Sequence, residues 1–223
     1  MNVLVFASRK GGSGKSTLAA HLATYIASPT RRTLLIDADP QGSLSFWHKI
    51  RGKENPALRH GARNIAEAVK AAKREGYEWV LIDTPPDKSA TVVEAIKQAT
   101  LVIIPMRPGV FDIAAVQDTV ELARELRKPY AAVINGAPPK RNDQEVAIVS
   151  DARGALNALK IPVWAGQVTH RADFSQALTE GEGAEEFESG SHAAEEMSRL
   201  WTAIDRSMKA VHSAYARGAR SAA

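Results

Sequence analysis

Apolar residues along the chain fall into two alternating arrangements. The first is a short unbroken run: VLVFAS (3–8), TLLIDA (33–38), WVLIDT (79–84), TLVIIP (100–105) and YAAVIN (130–135), with IPVW (161–164) as a shorter sixth. Runs without polar alternation suit strands covered on both faces, as in a parallel sheet. The second arrangement has helical spacing and fills 15–27, 62–75, 88–98, 112–127 and 143–159. A last helix is expected over about 191–215, ahead of a short flexible tail. Strand and helix alternate, which predicts an α/β fold with a doubly wound, mostly parallel sheet. No repeat, low-complexity tract or Pro/Gly/Ser linker divides the chain, so residues 1–223 read as a single domain.

Composition narrows this picture little. With 223 residues, 44% hydrophobic and 24% charged, the chain can bury a full core. It has no cysteine, which excludes disulfides, thiolate metal sites and cysteine nucleophiles. The first apolar run lacks a basic leader and a cleavage site, so it does not read as a signal peptide. No stretch approaches the roughly 18 apolar residues of a membrane span. The formal charge of +4 leans mildly toward polyanionic partners.

The chemistry begins at RKGGSGKST (9–17), directly after the first run. Strand, glycine-rich turn and helix in that order make a phosphate-binding loop, and the fold expectation becomes P-loop NTPase-like. Gly11, Gly12 and Gly14 let the backbone around Ser13 curl so that successive amides face one point. The following helix N-terminus adds to their attraction for phosphate. Lys15 is placed for the β- and γ-phosphates of ATP, Ser16 for Mg²⁺, and Thr17 for another phosphate oxygen. Arg9 stands where the plain pattern has glycine, and Lys10 is a second lysine in the loop. Lys10 is either a solvated loop residue or a cation that reaches a facing subunit's phosphates. Spacing alone does not choose.

KGGSGKST resembles the deviant Walker A motif of the ParA/MinD family of dimeric ATPases. Further segments agree in order: LLIDADPQGSLSFW, VLIDTPP, LVIIPMRPGVFDIAAV, VIN at 133–135 and VTHRADFSQALTEGEGAEEF. The resemblance covers most of residues 1–190. It implies that Lys10 contacts nucleotide across an ATP-sandwich homodimer, and that the form is nearest to short ParA-type proteins without a helix-turn-helix extension.

Asp37, Asp39 and Asp83 end predicted strands or the turn just beyond, at the sheet edge where α/β proteins bind ligands. Asp83 is assigned to hold Mg²⁺ through water and Asp37 to support that shell. Asp39 is placed to orient the attacking water, the role the family's D-x-D-P-Q acid implies. The competing reading is that one of the three merely caps a helix or fixes a turn. Asn135 either pairs with the adenine edge or simply forms a turn before GAPP. Pro105, Pro108 and Asp112 shape a loop near base or partner.

The family implies slow, partner-stimulated ATP hydrolysis and non-specific DNA binding by a cytoplasmic, nucleoid-associated protein. Its stimulating partner would be a small centromere-binding or adaptor protein. Candidate DNA contacts are Arg51, Lys53, Arg59 and Arg63, then Lys140, Arg141 and Arg171, any of which could equally be scattered surface charge. The alternative is MinD-like membrane attachment. Trp201, Ile204, Met208, Val211 and Tyr215 share one face of the last helix, with Arg206, Lys209 and Arg217 elsewhere. Such a stripe more often packs on its own domain. Relatives that bridge an iron–sulfur cluster are excluded by the missing cysteines.

Overall fold

The computed structural model describes residues 1–61 and 64–221. Six parallel strands form one sheet: β1 (Asn2–Phe6), β2 (Thr33–Asp37), β3 (Ala57–His60), β4 (Trp79–Asp83), β5 (Leu101–Met106) and β6 (Tyr130–Ile134), in the order β3-β2-β4-β1-β5-β6. The helices are α1 (Lys15–Ile26), α2 (Ser43–Arg51), α3 (Ile65–Arg74), α4 (Ala90–Gln98), α5 (Val110–Glu125), α6 (Ala147–Ala158), α7 (Ala172–Thr179), α8 (Ala184–Phe187) and α9 (His192–Ser221).

Alternating side chains of each strand feed two separate cores. Val3, Val5, Ile36 and Ile82 pack under α3, α4, α5 and α6. Leu4, Phe6, Leu35 and Leu81 pack under α1, α2 and α9. Both faces are thus covered, which is why the central strands could be unbroken apolar runs. The chain leaves β1 toward one face and β4, its neighbour, toward the other. Their C-terminal ends therefore open a crevice, the place where such sheets bind ligands.

The expected sixth strand is in a different place. IPVW (161–164) makes only one bridge, Val163 to Ala132, because Pro162 has no N–H to continue the ladder. The sixth strand is instead β3, a half-buried edge strand whose sequence, ALRH, carries no apolar run. Helices α2, α7 and α8 were not expected. The helix expected over 143–159 begins only at Ala147, since Asn142 and Asp143 take left-handed backbone conformations. The last helix runs on through Ser221, beyond the expected end near 215.

On α9 the apolar stripe divides. Ile204 and Met208 are buried in the core and Trp201 stacks edge-on against Trp79, at 4.8 Å between centroids. Tyr215, further along, is exposed. Among the described residues no helix is long and apolar enough to cross a membrane.

Candidate nucleotide site

The loop between β1 and α1 takes a shape that only its glycines allow. Gly14, the N-cap of α1, has φ 97°, and a methyl group there would stand 2.0 Å from Asn135 Nδ2. Gly12 has φ 70°. Both angles lie in the left-handed region that side chains disfavour. Gly11, Gly12, Gly14, Lys15, Ser16, Thr17 and Asp39 line one cavity of about 400 Å³, with Leu44, Trp47 and Leu178 as its apolar wall. Polar loop atoms against apolar walls are the usual make-up of a nucleotide-sized pocket.

Lys15 is buried, and its Nζ lies 3.5 Å from the Lys10 carbonyl oxygen. Burial lowers its pKa, partly offset by Asp83, Asp39 and Asp87. Ser16 Oγ donates to Asp83 Oδ2 at 2.5 Å. Burial pushes the Asp83 carboxyl up to about 7 despite the hydrogen bond from Ser16 and the charge of Lys15. Asp37 and Asp83 are register partners on adjacent strands, both fully buried. Each keeps one oxygen, Oδ1, without any hydrogen-bond partner, as does Ser13 Oγ. Two adjacent buried carboxylates with free oxygens call for a cation.

These residues fit Mg²⁺. Ser16 and Asp83 would hold it, with Asp37 behind them. Among the described residues no three acidic, histidine or cysteine side chains gather closely enough to hold a metal alone. The remaining ligands would be phosphate oxygens and water, the usual arrangement for this ion.

Asp37 does more than was expected of it. Its Oδ2 accepts from Ser45 N at 2.8 Å and Ser45 Oγ at 2.7 Å, so it also caps the start of α2. Asp39 lies at the cavity wall, and its Oδ1 accepts from Gln41 N at 2.9 Å, an Asx turn that fixes its backbone. Asn135 ends β6 as expected, but its Nδ2 donates to the Ser13 carbonyl at 2.8 Å. It therefore braces the phosphate loop, and only its Oδ1 is left for a base.

Lys10 points out of the cavity and pairs with the buried carboxylate of Asp112, on the first turn of α5. The Lys10 side chain is still 39% exposed. Beside Asp112, Val110 and Phe111 are exposed at 73% and 80%. Asp112 Oδ1 also accepts from Arg107 N at 3.1 Å, so the loop after β5 is tied to the lysine's partner.

The basic candidates fare unevenly. Arg51 is no surface contact: it is buried, and both terminal nitrogens bond Glu186, at 2.6 and 2.7 Å. Arg59 is held by Glu75 and Arg171 by Glu196, and Lys53 lies 3.8 Å from Glu182. Arg63 lies outside the described residues. Lys140 and Arg141 are exposed and form no ion pair among the described residues.

A glycine-curled loop between strand and helix, a buried lysine and a buried carboxylate that accepts from the serine after that lysine define a P-loop nucleotide-binding domain. The CobQ/CobB/MinD/ParA nucleotide binding domain model matches residues 4–184, and this chain belongs to that family. It is 27% identical over 188 residues to maintenance of carboxysome distribution protein A from Halothiobacillus neapolitanus, covering 80% of this chain and 84% of that one. A second relative, protein ParA from Rhizobium radiobacter, is 36% identical over 129 residues, 56% of this chain and 57% of its own length. The ATP complex of a substituted McdA from Cyanothece has the same fold, with a TM-score of 0.73, 18% identity and coverage of 92% of this chain and 96% of that one.

Proposed function

We propose that this chain is an ATP-dependent dimerising switch that hydrolyses ATP slowly and positions DNA or another large cargo. The observation that carries this reading is the division of labour between two lysines. Lys15 lies inside the cavity and serves the bound triphosphate. Lys10 lies outside it, held at the rim by Asp112, where a second protomer's phosphates would meet it. Exposed Val110 and Phe111 beside it offer apolar surface that a face-to-face dimer would cover.

Within one protomer the loop amides and Lys15 hold the phosphates and stabilise charge on the transferred group. Asp39 orients the attacking water from the opposite wall. Mg²⁺, when bound, neutralises phosphate charge; Ser16 and Asp83 hold it and Asp37 supports them. Asn135 keeps the loop in register and offers Oδ1 to the adenine amino group. Turnover needs positioning more than covalent chemistry, which suits a slow, partner-stimulated enzyme. The partner is a small centromere-binding or adaptor protein, by analogy with the ParA relatives.

DNA binding in this reading is non-specific and belongs to the dimer. The 139–144 loop, with Lys140 and Arg141, is its best-supported contact, because Arg51, Lys53, Arg59 and Arg171 are buried, paired or beside acids. Membrane attachment through α9 has less support, since Ile204 and Met208 are already committed to the core.

Light scattering with ATP and Mg²⁺ tests the reading. Wild type should double in mass and Lys10→Ala should remain single while still binding ATP. A Lys10→Ala variant that dimerises normally sinks the cross-subunit role. Salt-sensitive retention of the ATP form on DNA, against sedimentation with liposomes, separates the two outputs.

A further inference from the structure

Asp37 presents two unlike oxygens. Oδ1 is buried without a partner, next to the Ser16–Asp83 pair on the neighbouring strand. Oδ2 is held by Ser45, which gives it both a backbone N–H and the hydroxyl hydrogen. A hydroxyl has one hydrogen, so Ser45 Oγ can only accept from its remaining neighbour. That neighbour is His60 Nδ1, 2.7 Å away. The His60 ring must therefore carry its hydrogen on Nδ1 and donate to Ser45. His60 ends edge strand β3 as the register partner of Asp37, and Gly61 N donates to the Asp37 carbonyl at 3.0 Å. The ring also lies against the turn before α2: a methyl group on Gly42 would stand 3.6 Å from His60 Cε1.

We infer that Ser45 and His60 are positioning residues that fix the Asp37 carboxylate so that its free oxygen faces the magnesium–nucleotide complex. His60 orients the Ser45 hydroxyl, Ser45 holds Oδ2, and Oδ1 is left aimed at the site. The sheet edge is thereby linked to the cation shell. This rests on the reading of Asp37 as support for Mg²⁺. Neither Ser45 nor His60 touches the substrate, so the effect passes entirely through Asp37. Groups that orient a metal-supporting ligand act on metal affinity more than on the fold.

The test measures dissociation constants of a fluorescent ATP analogue with Mg²⁺ and with EDTA, by anisotropy, and takes their ratio as the magnesium-dependent gain. His60→Ala should lower that gain roughly tenfold, as loss of a partner behind a metal-supporting group does, and leave the EDTA value unchanged. Ser45→Ala, which removes the hydroxyl bond to Oδ2, should also lower the gain, while the backbone N–H that still caps Oδ2 keeps the EDTA value unchanged. His60→Asn, which can place an amide N–H near the position of Nδ1, should restore most of the gain. Asp37→Asn separates the layers. If it lowers the gain and His60→Ala does not, the relay is wrong. If it leaves the gain intact, the magnesium reading of Asp37 fails and takes the relay with it. Equal weakening with and without Mg²⁺ in His60→Ala, unrescued by asparagine, assigns the residue to the fold alone and also overturns the inference.

Discussion

Two polar networks each draw residues from helices α1 and α2, and they are built to opposite ends. At the C-terminal edge of the sheet, Asp37 and Asp83 are fully buried yet each has an oxygen with no partner. Behind α1, His21 has both ring nitrogens engaged: Nδ1 accepts from Ala184 N at 3.1 Å, so Nε2 donates to the Phe174 carbonyl at 3.2 Å. Nearby, Arg51 and Glu186 form a two-pronged pair, extended by Gly181 O and Asn55 O at 3.0 Å each. Glu186 Oε2 also accepts from Gly183 N. The first network is incomplete as a protein, and under the proposed function a cation and a triphosphate would finish it. In the second the opposite charges are paired within the protein, though Arg51 Nε is itself buried without a partner, and the network ties α7 and α8 to the body of the domain. Incompleteness among buried charges, more than their number, marks the site that works on a ligand.

The comparison is broken most forcefully at Arg51. Arg51→Ala removes the guanidinium from Glu186 and frees four acceptor atoms at once: Gly181 O, Asn55 O and both Glu186 oxygens. Glu186 remains partly exposed, so the cost comes from the hydrogen bonds lost by the buried guanidinium, each worth about 1.5 to 3 kcal/mol, and is to be read as a lower midpoint in urea unfolding. Because the charges of this network are paired within the protein, saturating ATP and Mg²⁺ should leave the difference between variant and wild type unchanged. If nucleotide repairs the variant, the two networks are not separate.

His21 sharpens the contrast through pH. Burial pulls its pKa from 6.5 down to about 4, so the folded chain holds it neutral. A histidine with a depressed folded pKa favours the folded state fully above 6.5, and that contribution falls away as pH drops from 6.5 toward 4. At pH 4.5 the loss is about 2 to 3 kcal/mol. Urea unfolding of wild type and His21→Gln at pH 7 and pH 4.5 checks this. Glutamine does not titrate, so the variant should lose less stability over that range, and equal losses would remove His21 from the account.

Much of the nucleotide edge could be read in the chain because its residues are near one another in sequence. The loop 9–17 is contiguous, and Asp37, Asp39 and Asp83 follow unbroken apolar strands that announce their own ends. The closed network was illegible for the converse reason. Glu186 lies 135 positions from Arg51, and a basic residue after FWHKI looks like any solvated surface charge. A signal was available: SLSFWHKIR sits between Gly42 and Gly52, with Leu44, Trp47 and Arg51 on one helical face. That spacing would have turned Arg51 inward. Strand β3 escaped because an edge strand needs no apolar run. The contact of His60 with Ser45 depends on a register between β2 and β3 that no periodicity encodes.

The smallest effect is expected at Asn135, which belongs to the open network but whose amide nitrogen is already engaged within the protein. Its amide closes the phosphate loop onto the end of β6, and the close approach to Gly14 makes that seat tight. Asn135→Ala deletes one hydrogen bond, that to the carbonyl of buried Ser13, worth about 1 kcal/mol. Nucleotide affinity should therefore weaken about fivefold, a factor that corresponds to about 1 kcal/mol, and isothermal titration with ATP and Mg²⁺ would measure it. Asn135→Asp sets a carboxylate oxygen against that same carbonyl and adds negative charge beside the phosphates. It should weaken binding more than alanine does. If alanine and aspartate behave alike, Asn135 does not brace the loop, and the division between a site finished by its ligand and a scaffold finished by itself must be redrawn at β6.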